Sequence, residues 1–205
     1  KLSAKIPKFS LTVYISFAFV VVKVLSFEPA IADSNSLVIK DVKITANGLI
    51  INATSNESKV ELDNTILEGN VFNQGSLTIK NTNSVSNITG TGKTEIISTG
   101  NLTTSELVQN ELVNNGVLTV NNLQITTSAD NSGTITNNGT ISSIKNLTNT
   151  GLIDGTGNLE LSGNSTNKGT ISQAIIKVSG TLDNTLGNLS ATDKIENTGT
   201  ITTSA

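Results

Sequence analysis

The stretch Asn131-Ser132-Gly133-Thr134-Ile135-Thr136-Asn137-Asn138-Gly139-Thr140-Ile141 holds one five-residue unit twice, six residues apart. Asn and Gly accept the left-handed or otherwise strained backbone of a tight turn, and β-branched Thr and Ile favour the extended strand that follows. Alternation in Thr134-Ile135-Thr136 sends Ile135 to one side and both threonines to the other, so each unit predicts a corner and then a strand with one core face and one solvent face. The unit returns as Asn149-Thr150-Gly151-Leu152-Ile153, Asn167-Lys168-Gly169-Thr170-Ile171 and Asn197-Thr198-Gly199-Thr200-Ile201. Earlier variants are Asn73-Gln74-Gly75-Ser76-Leu77 and Asn114-Asn115-Gly116-Val117-Leu118.

Spacing carries the argument further. Gly133, Gly139, Gly151, Gly157, Gly163, Gly169, Gly187 and Gly199 all lie multiples of six apart, and two residues on from that phase stand Ile135, Ile141, Leu147, Ile153, Leu159, Ile171, Leu189, Ile195 and Ile201. Ser165, Lys177 and Asp183 depart from the pattern. At a period of eighteen, Gly133, Gly151, Gly169 and Gly187 align, as do Ile135, Ile153, Ile171 and Leu189. Three short strands per coil of a parallel β-helix require this. Identical side chains then stack about 4.8 Å apart, giving aliphatic ladders inside and asparagine ladders at turns.

Between Asp33 and about Thr126 the strands persist, as in Leu37-Val38-Ile39, Leu49-Ile50-Ile51, Leu77-Thr78-Ile79 and Leu118-Thr119-Val120, but their phase drifts, as longer and unequal turns would cause. At roughly 20 residues per coil, residues 33–205 form eight or nine coils and a rod on the order of 40 Å. A disordered Asn/Thr/Gly tract would not hold Ile and Leu in fixed phase, and the six-residue spacing is too short for a β-sandwich.

Composition agrees. Of the 205 residues 36% are hydrophobic but only 3% aromatic, with no Trp or Met, so a globular core of large side chains is not expected. Phe9, Tyr14, Phe17, Phe19, Phe27 and both prolines, Pro7 and Pro29, lie near the start, leaving Phe72 as the one later aromatic. Without cysteine or histidine, thiol nucleophiles, histidine bases and the usual zinc sites are excluded. Every basic residue is lysine, and residues 33–205 carry 9 Lys against 15 acidic residues, which argues against a nucleic-acid partner.

Lys1, Lys5 and Lys8 precede the apolar run Phe9 to Val22, and Ala30-Ile31-Ala32 offers small residues for cleavage before Asp33. The order is that of an export signal, and the run, interrupted at Lys23, is shorter than the ~20 residues of a spanning helix. Residues 1–32 are therefore expected to be a signal peptide helix and residues 33–205 the exported solenoid.

The Asn-x-Gly-Thr-Ile units, the long signal, the missing cysteines and the scarcity of aromatics together resemble the passenger regions of bacterial autotransporters and filamentous-haemagglutinin-like adhesins. The resemblance implies a non-enzymatic rod at the Gram-negative cell surface, with a host-cell or matrix component, or further segments of the same adhesin, as partner. The C-terminal barrel that would tie such a protein to the outer membrane is missing, and Ile201-Thr202-Thr203-Ser204-Ala205 ends in mid-repeat without a cap. An N-terminal fragment of a longer adhesin is the expectation this supports; a non-functional gene fragment is an alternative.

No catalytic, cofactor-binding or metal-ligating residue is expected. A carbohydrate-active β-helix enzyme, the other alternative, would need clustered carboxylates. Asp154 and Glu160, six apart, and Asp183 and Asp193, ten apart, are spaced for different faces or turns. Asp154-Gly155-Thr156-Gly157-Asn158 has the composition of a calcium turn but occurs once, without the repeating nonapeptide of calcium solenoids. Thr134 with Thr136 and Thr200 with Thr202 suggest an ice-binding array, yet one coil beyond the first pair an eighteen-residue period places Leu152 and Asp154. Asn52, Asn87, Asn101 and Asn146 head glycosylation sequons, which a chain this rich in Asn and Thr produces by chance.

Overall fold

Each Asn-x-Gly unit forms a corner, and the strands on either side of it lie on different faces of one coil. The computed structural model describes residues 14–15, 36–41, 43–44, 48–51 and 59–204. The chain is a parallel β-solenoid of about eight coils with three strand segments per coil, and no helix occurs among the described residues. Face A stacks Ser36–Lys40, Lys59–Asp63, Ser76–Lys80 and Lys93–Ile96, then residues 111–114 and 128–131, then Leu147–Asn149, Asn164–Asn167, Thr181–Asn184 and Thr200–Thr203. Face B runs from residues 43–44 through 66–67, 82–85, 101–104, 117–120 and 134–137 to 188–191, and face C from 48–51 through 70–73, 87–88, 106–109 and 122–125 to 194–197. Some strands bend from face to face without a break: Asn101–Asn114 supplies all three.

The expected eighteen-residue stack is present where the repeat is purest. Thr134 pairs with Leu152, Leu152 with Thr170 and Thr170 with Asn188, which superimposes Ile135, Ile153, Ile171 and Leu189. Coils are shorter than the expected 20 residues. From residue 59 onward, the pairs Asn101 with Val117 and Thr181 with Thr200 mark the extremes, 16 and 19 residues. Lys177 and Asp183 leave the hexad phase because a residue is lost between them and Ile171. Ile176 and Leu182, each one position earlier, are buried in their place. Ser165 keeps its phase, buried, with its Oγ accepting the Leu147 N–H at 3.2 Å.

The corner glycines differ from expectation in their physical reason. Gly133, Gly151 and Gly169 do not have positive φ; they are glycine because coils touch there, a Cβ on each lying 2.1 Å from the carbonyl oxygen of Gly116, Gly133 and Gly151 respectively. Beneath these three glycines the asparagine carbonyl of the coil below accepts two N–H groups, as Asn131 O does from Thr150 at 2.8 Å and Gly151 at 3.1 Å. Positive φ falls instead on Gly90 and Gly155, and on Asp41, Asn64, Asn81 and Ser143.

Six inward columns of side chains fill the narrow interior. On face A one column changes chemistry partway. Ile39, Leu62, Ile79 and Ile96 are followed in register by Asn114, Asn131, Asn149, Asn167 and Asn184, the last five all buried. Each Nδ2 of the first four asparagines donates to the next Oδ1 at 2.7 Å, forming the expected ladder but inside the core. Asn114 Oδ1, at the junction with Ile96, is buried without a partner. Phe72 points outward, 42% exposed, so no aromatic enters the described core. Of residues 1–32 only Tyr14–Ile15 is described, a short strand antiparallel to Leu49–Ile50; the expected signal helix otherwise lies outside the described residues.

Candidate interaction face

Strand alternation leaves face B with two outward columns. The first holds Thr82, Asn101, Val117, Thr134, Leu152, Thr170 and Asn188; the second holds Ser84, Thr103, Thr119, Thr136, Asp154, Ser172 and Ser190. From Ser84 onward all but one of the second column are hydroxyls; below Ser84 the column continues in register to Ile66 and Lys43. The exception, Asp154, accepts the Thr136 Oγ1 hydrogen at 2.9 Å. Neighbouring rungs stand about 4.8 Å apart, so the hydroxyls form a regular line of groups that both donate and accept.

The other faces are charged. Face C stacks Glu160, Lys177 and Glu196 in one column, with Lys177 Nζ 3.7 Å from Glu160, and Lys194 pairs with Glu196 at 2.6 Å. Face A carries Lys40 with Asp63 at 3.5 Å and Lys80 with Glu61 at 3.8 Å. The Asn81 amide donates to Asp63 at 2.7 Å and, with Lys40 and Lys80, holds that carboxyl below the usual aspartate range. Asp183 is lowered in the same direction by the Thr185 N–H and hydroxyl.

Where face B bends into face C at the early coils, the outer surface is concave. A groove of about 270 Å³ is lined by Ile66, Glu68, Ser84, Ser86, Thr103, Ser105, Thr119 and Asn121 together with the buried Leu67, Val85 and Thr104. The bend is fixed by its own hydroxyls. Ser86 Oγ donates to Glu68 O at 2.9 Å, and the buried Thr104 Oγ1 lies within bonding distance of Ser86 O and Glu106 O, at 3.2 and 3.0 Å. Glu68, the groove's one charged residue, pairs with Lys43. Such a surface can hydrogen-bond a neutral polar ligand in either sense, with Ile66, 47% exposed, as an apolar contact.

The residues weighed from sequence fall apart in space. Asp154 lies on face B and Glu160 on face C, Asp183 on face A and Asp193 at the corner between residues 191 and 194. Gly155, central to the supposed calcium turn, serves packing: its Cβ would sit 2.0 Å from Asn137 O. No group of three metal-ligating side chains comes together among the described residues. Thr134 and Thr136 stack on Leu152 and Asp154 as their spacing implied, and Thr200 and Thr202 lie on a different face. In the other direction, however, Thr136 continues onto Thr119, Thr103 and Ser84, an unbroken column that sequence reading missed because these steps are 17, 16 and 19 residues. Of the sequons, Asn87 and Asn146 have their amides bonded to Asn70 Oδ1 and Thr127 O, Asn101 is exposed on face B, and Asn52 lies outside the described residues. Compared with known proteins, the chain matches no family model, no curated protein and no solved structure.

Proposed function

We propose that this chain is an exported cell-surface rod with a structural and adhesive role, and that hydroxyl-rich face B is the surface that meets its partner. The observation that carries the reading is the segregation of the outer surface: charges crowd faces A and C, while face B from Ser84 onward keeps a hydroxyl line, broken only by Asp154, that opens into the groove at Ser84, Thr103 and Thr119. A neutral polyhydroxylated partner, such as surface or matrix carbohydrate, suits donors and acceptors arranged at regular rungs, and it pays no desolvation of opposed charges. The order of lysines, apolar run and Ala30-Ile31-Ala32 supports export.

Two linked measurements test it. Protease shaving of intact native cells is expected to release peptides C-terminal to Ala32 into the surface fraction. Beads coated with the full chain are expected to bind a subset of an immobilised glycan panel, and Thr103→Arg and Thr119→Arg, both outward, to reduce binding at least several-fold with the β-sheet circular dichroism unchanged. Peptides confined to the cell interior sink the export reading; unchanged bead binding by both arginine variants sinks face B as the contact surface.

A further inference from the structure

Two Asn-Gly steps lie within the described residues, Asn115-Gly116 and Asn138-Gly139, and both asparagines are exposed at corners. At the second, Gly139 N–H donates to Asn137 Oδ1 at 3.2 Å. At the first, Gly116 N–H donates to no atom of the described residues. It is an exception among stacked corners, since Gly133, Gly151 and Gly169 donate to the carbonyls of Asn114, Asn131 and Asn149. The carboxamides differ too. Asn115 Oδ1 accepts the Ser132 hydroxyl at 2.7 Å, while its Nδ2 bonds to no described residue.

We infer that Asn115-Gly116 is a site of spontaneous covalent modification, converting to an aspartyl or isoaspartyl linkage through a cyclic imide, and that Ser132 promotes the step. Gly116 is buried, so its nitrogen loses its proton to solvent base as the corner breathes; being free of any hydrogen bond to a described residue, it then attacks Cγ of Asn115. The Ser132 hydroxyl stabilises the negative charge that develops on Oδ1, as an oxyanion donor does. The C–Nδ2 bond breaks and ammonia leaves, taking up a proton, to give a five-membered succinimide. Water then adds to either ring carbonyl and opens the ring, leaving a carboxylate on the side chain or, in the isoaspartyl product, in the main chain's former place. No electron transfer is involved, and water is the only co-reactant. The bonded Gly139 nitrogen must first give up its hydrogen bond, and Asn138 has no hydroxyl on its Oδ1, so its conversion is slower.

The product matters at this position. Asn115 adjoins Asn114, the foot of the buried amide ladder, and the isoaspartyl form adds one main-chain carbon to a corner whose next residue is tied by Val117 N–H to Gly100 O at 2.9 Å. Ageing would therefore add a negative charge and loosen one corner of an otherwise regular stack.

Incubating the full chain in mildly alkaline buffer at physiological temperature, with peptide mapping by electron-transfer fragmentation to distinguish aspartyl from isoaspartyl, tests this directly. Conversion at Asn115 is expected several-fold faster than at Asn138, and Ser132→Ala is expected to slow Asn115 several-fold while leaving Asn138 unchanged. Equal rates, a faster Asn138, or an Asn115 rate indifferent to Ser132→Ala overturns the inference. The outcome is independent of what face B binds.

Discussion

The buried asparagines show how one side chain can be both a corner residue and a core residue. Asn149 accepts from Asn131 Nδ2 through Oδ1 and donates through Nδ2 to Asn167 Oδ1, both at 2.7 Å, with Gly151 O and Thr170 O as further acceptors at 3.2 Å. A net hydrogen bond contributes only about 1 kcal/mol, but stranding a buried partner costs about 1–3 kcal/mol. Asn149→Leu breaks two ladder bonds and leaves Asn167 Oδ1 without its donor, while Asn131 Nδ2 keeps Gly133 O and Leu152 O, and it is expected to destabilise by about 2–4 kcal/mol. Asn114→Leu breaks one ladder bond only, removes an oxygen that already lacks a partner, and meets Ile96 below; its cost should be smaller by about 1 kcal/mol or more. Urea denaturation of the two variants decides the matter, and equal losses would mean that the ladder bonds are not what holds these residues. The sequence showed that asparagine recurs at these corners. That its amide turns inward was not legible, because the Asn-x-Gly pattern is satisfied equally by an asparagine bonding its own turn.

At the level of strand and corner, a second device appears twice. Asn73 Nδ2 reaches Gln109 Oε1 at 2.7 Å, and Asn137 Nδ2 reaches Gln173 Oε1 at 2.8 Å, each across an intervening coil. In both cases that coil presents Gly-Thr-Gly, residues 90–92 and 155–157, with positive φ at the first glycine, +123° at Gly90 and +125° at Gly155. The glycines leave the space through which the longer glutamine side chain spans two rungs. Gly155→Ala would place a methyl 2.0 Å from Asn137 O in a backbone conformation that alanine resists, with an expected loss of about 2–4 kcal/mol. The exposed Thr156→Ala should stay within about 0.5 kcal/mol of the parent. Melting curves that place the two variants together would remove the packing role given to this turn. Reading residues 154–158 as a sequence found the glycines but not their reason, since Gln173 lies eighteen residues away from Gly155 and bonds to Asn137, thirty-six residues away. The same non-uniform spacing hid the Ser84, Thr103, Thr119 and Thr136 column, whereas the fixed period from Thr134 to Asn188 made that part of the fold readable.

Across the whole molecule, each coil pairs with its neighbours and, apart from the two Asn–Gln bonds that span a coil, packs on them, so stability is close to a sum of local coil terms and interfaces and need not be uniform. Coils between Asn101 and Asn184 have inward residues that are almost wholly buried, Leu118, Ile135, Ile153 and Ile171 among them at 0% exposure, and they carry the amide ladder. The strands Asn188–Asn197 and Thr200–Thr203 pair on one edge only among the described residues, and their inward side chains are partly open, with Ile195 at 44% exposure. Backbone amides of residues 188–203 in this chain should therefore exchange with solvent through local opening, well before those of residues 117–178, whose release requires breaking interfaces on both sides. Raising denaturant gradually should accelerate the central amides with a steep dependence and the 188–203 amides with a shallow one, because the first expose several coils and the second expose one. If every amide instead exchanges with one common free energy and one common denaturant slope, the rod unfolds as a single unit and nearest-neighbour stacking does not describe its energetics.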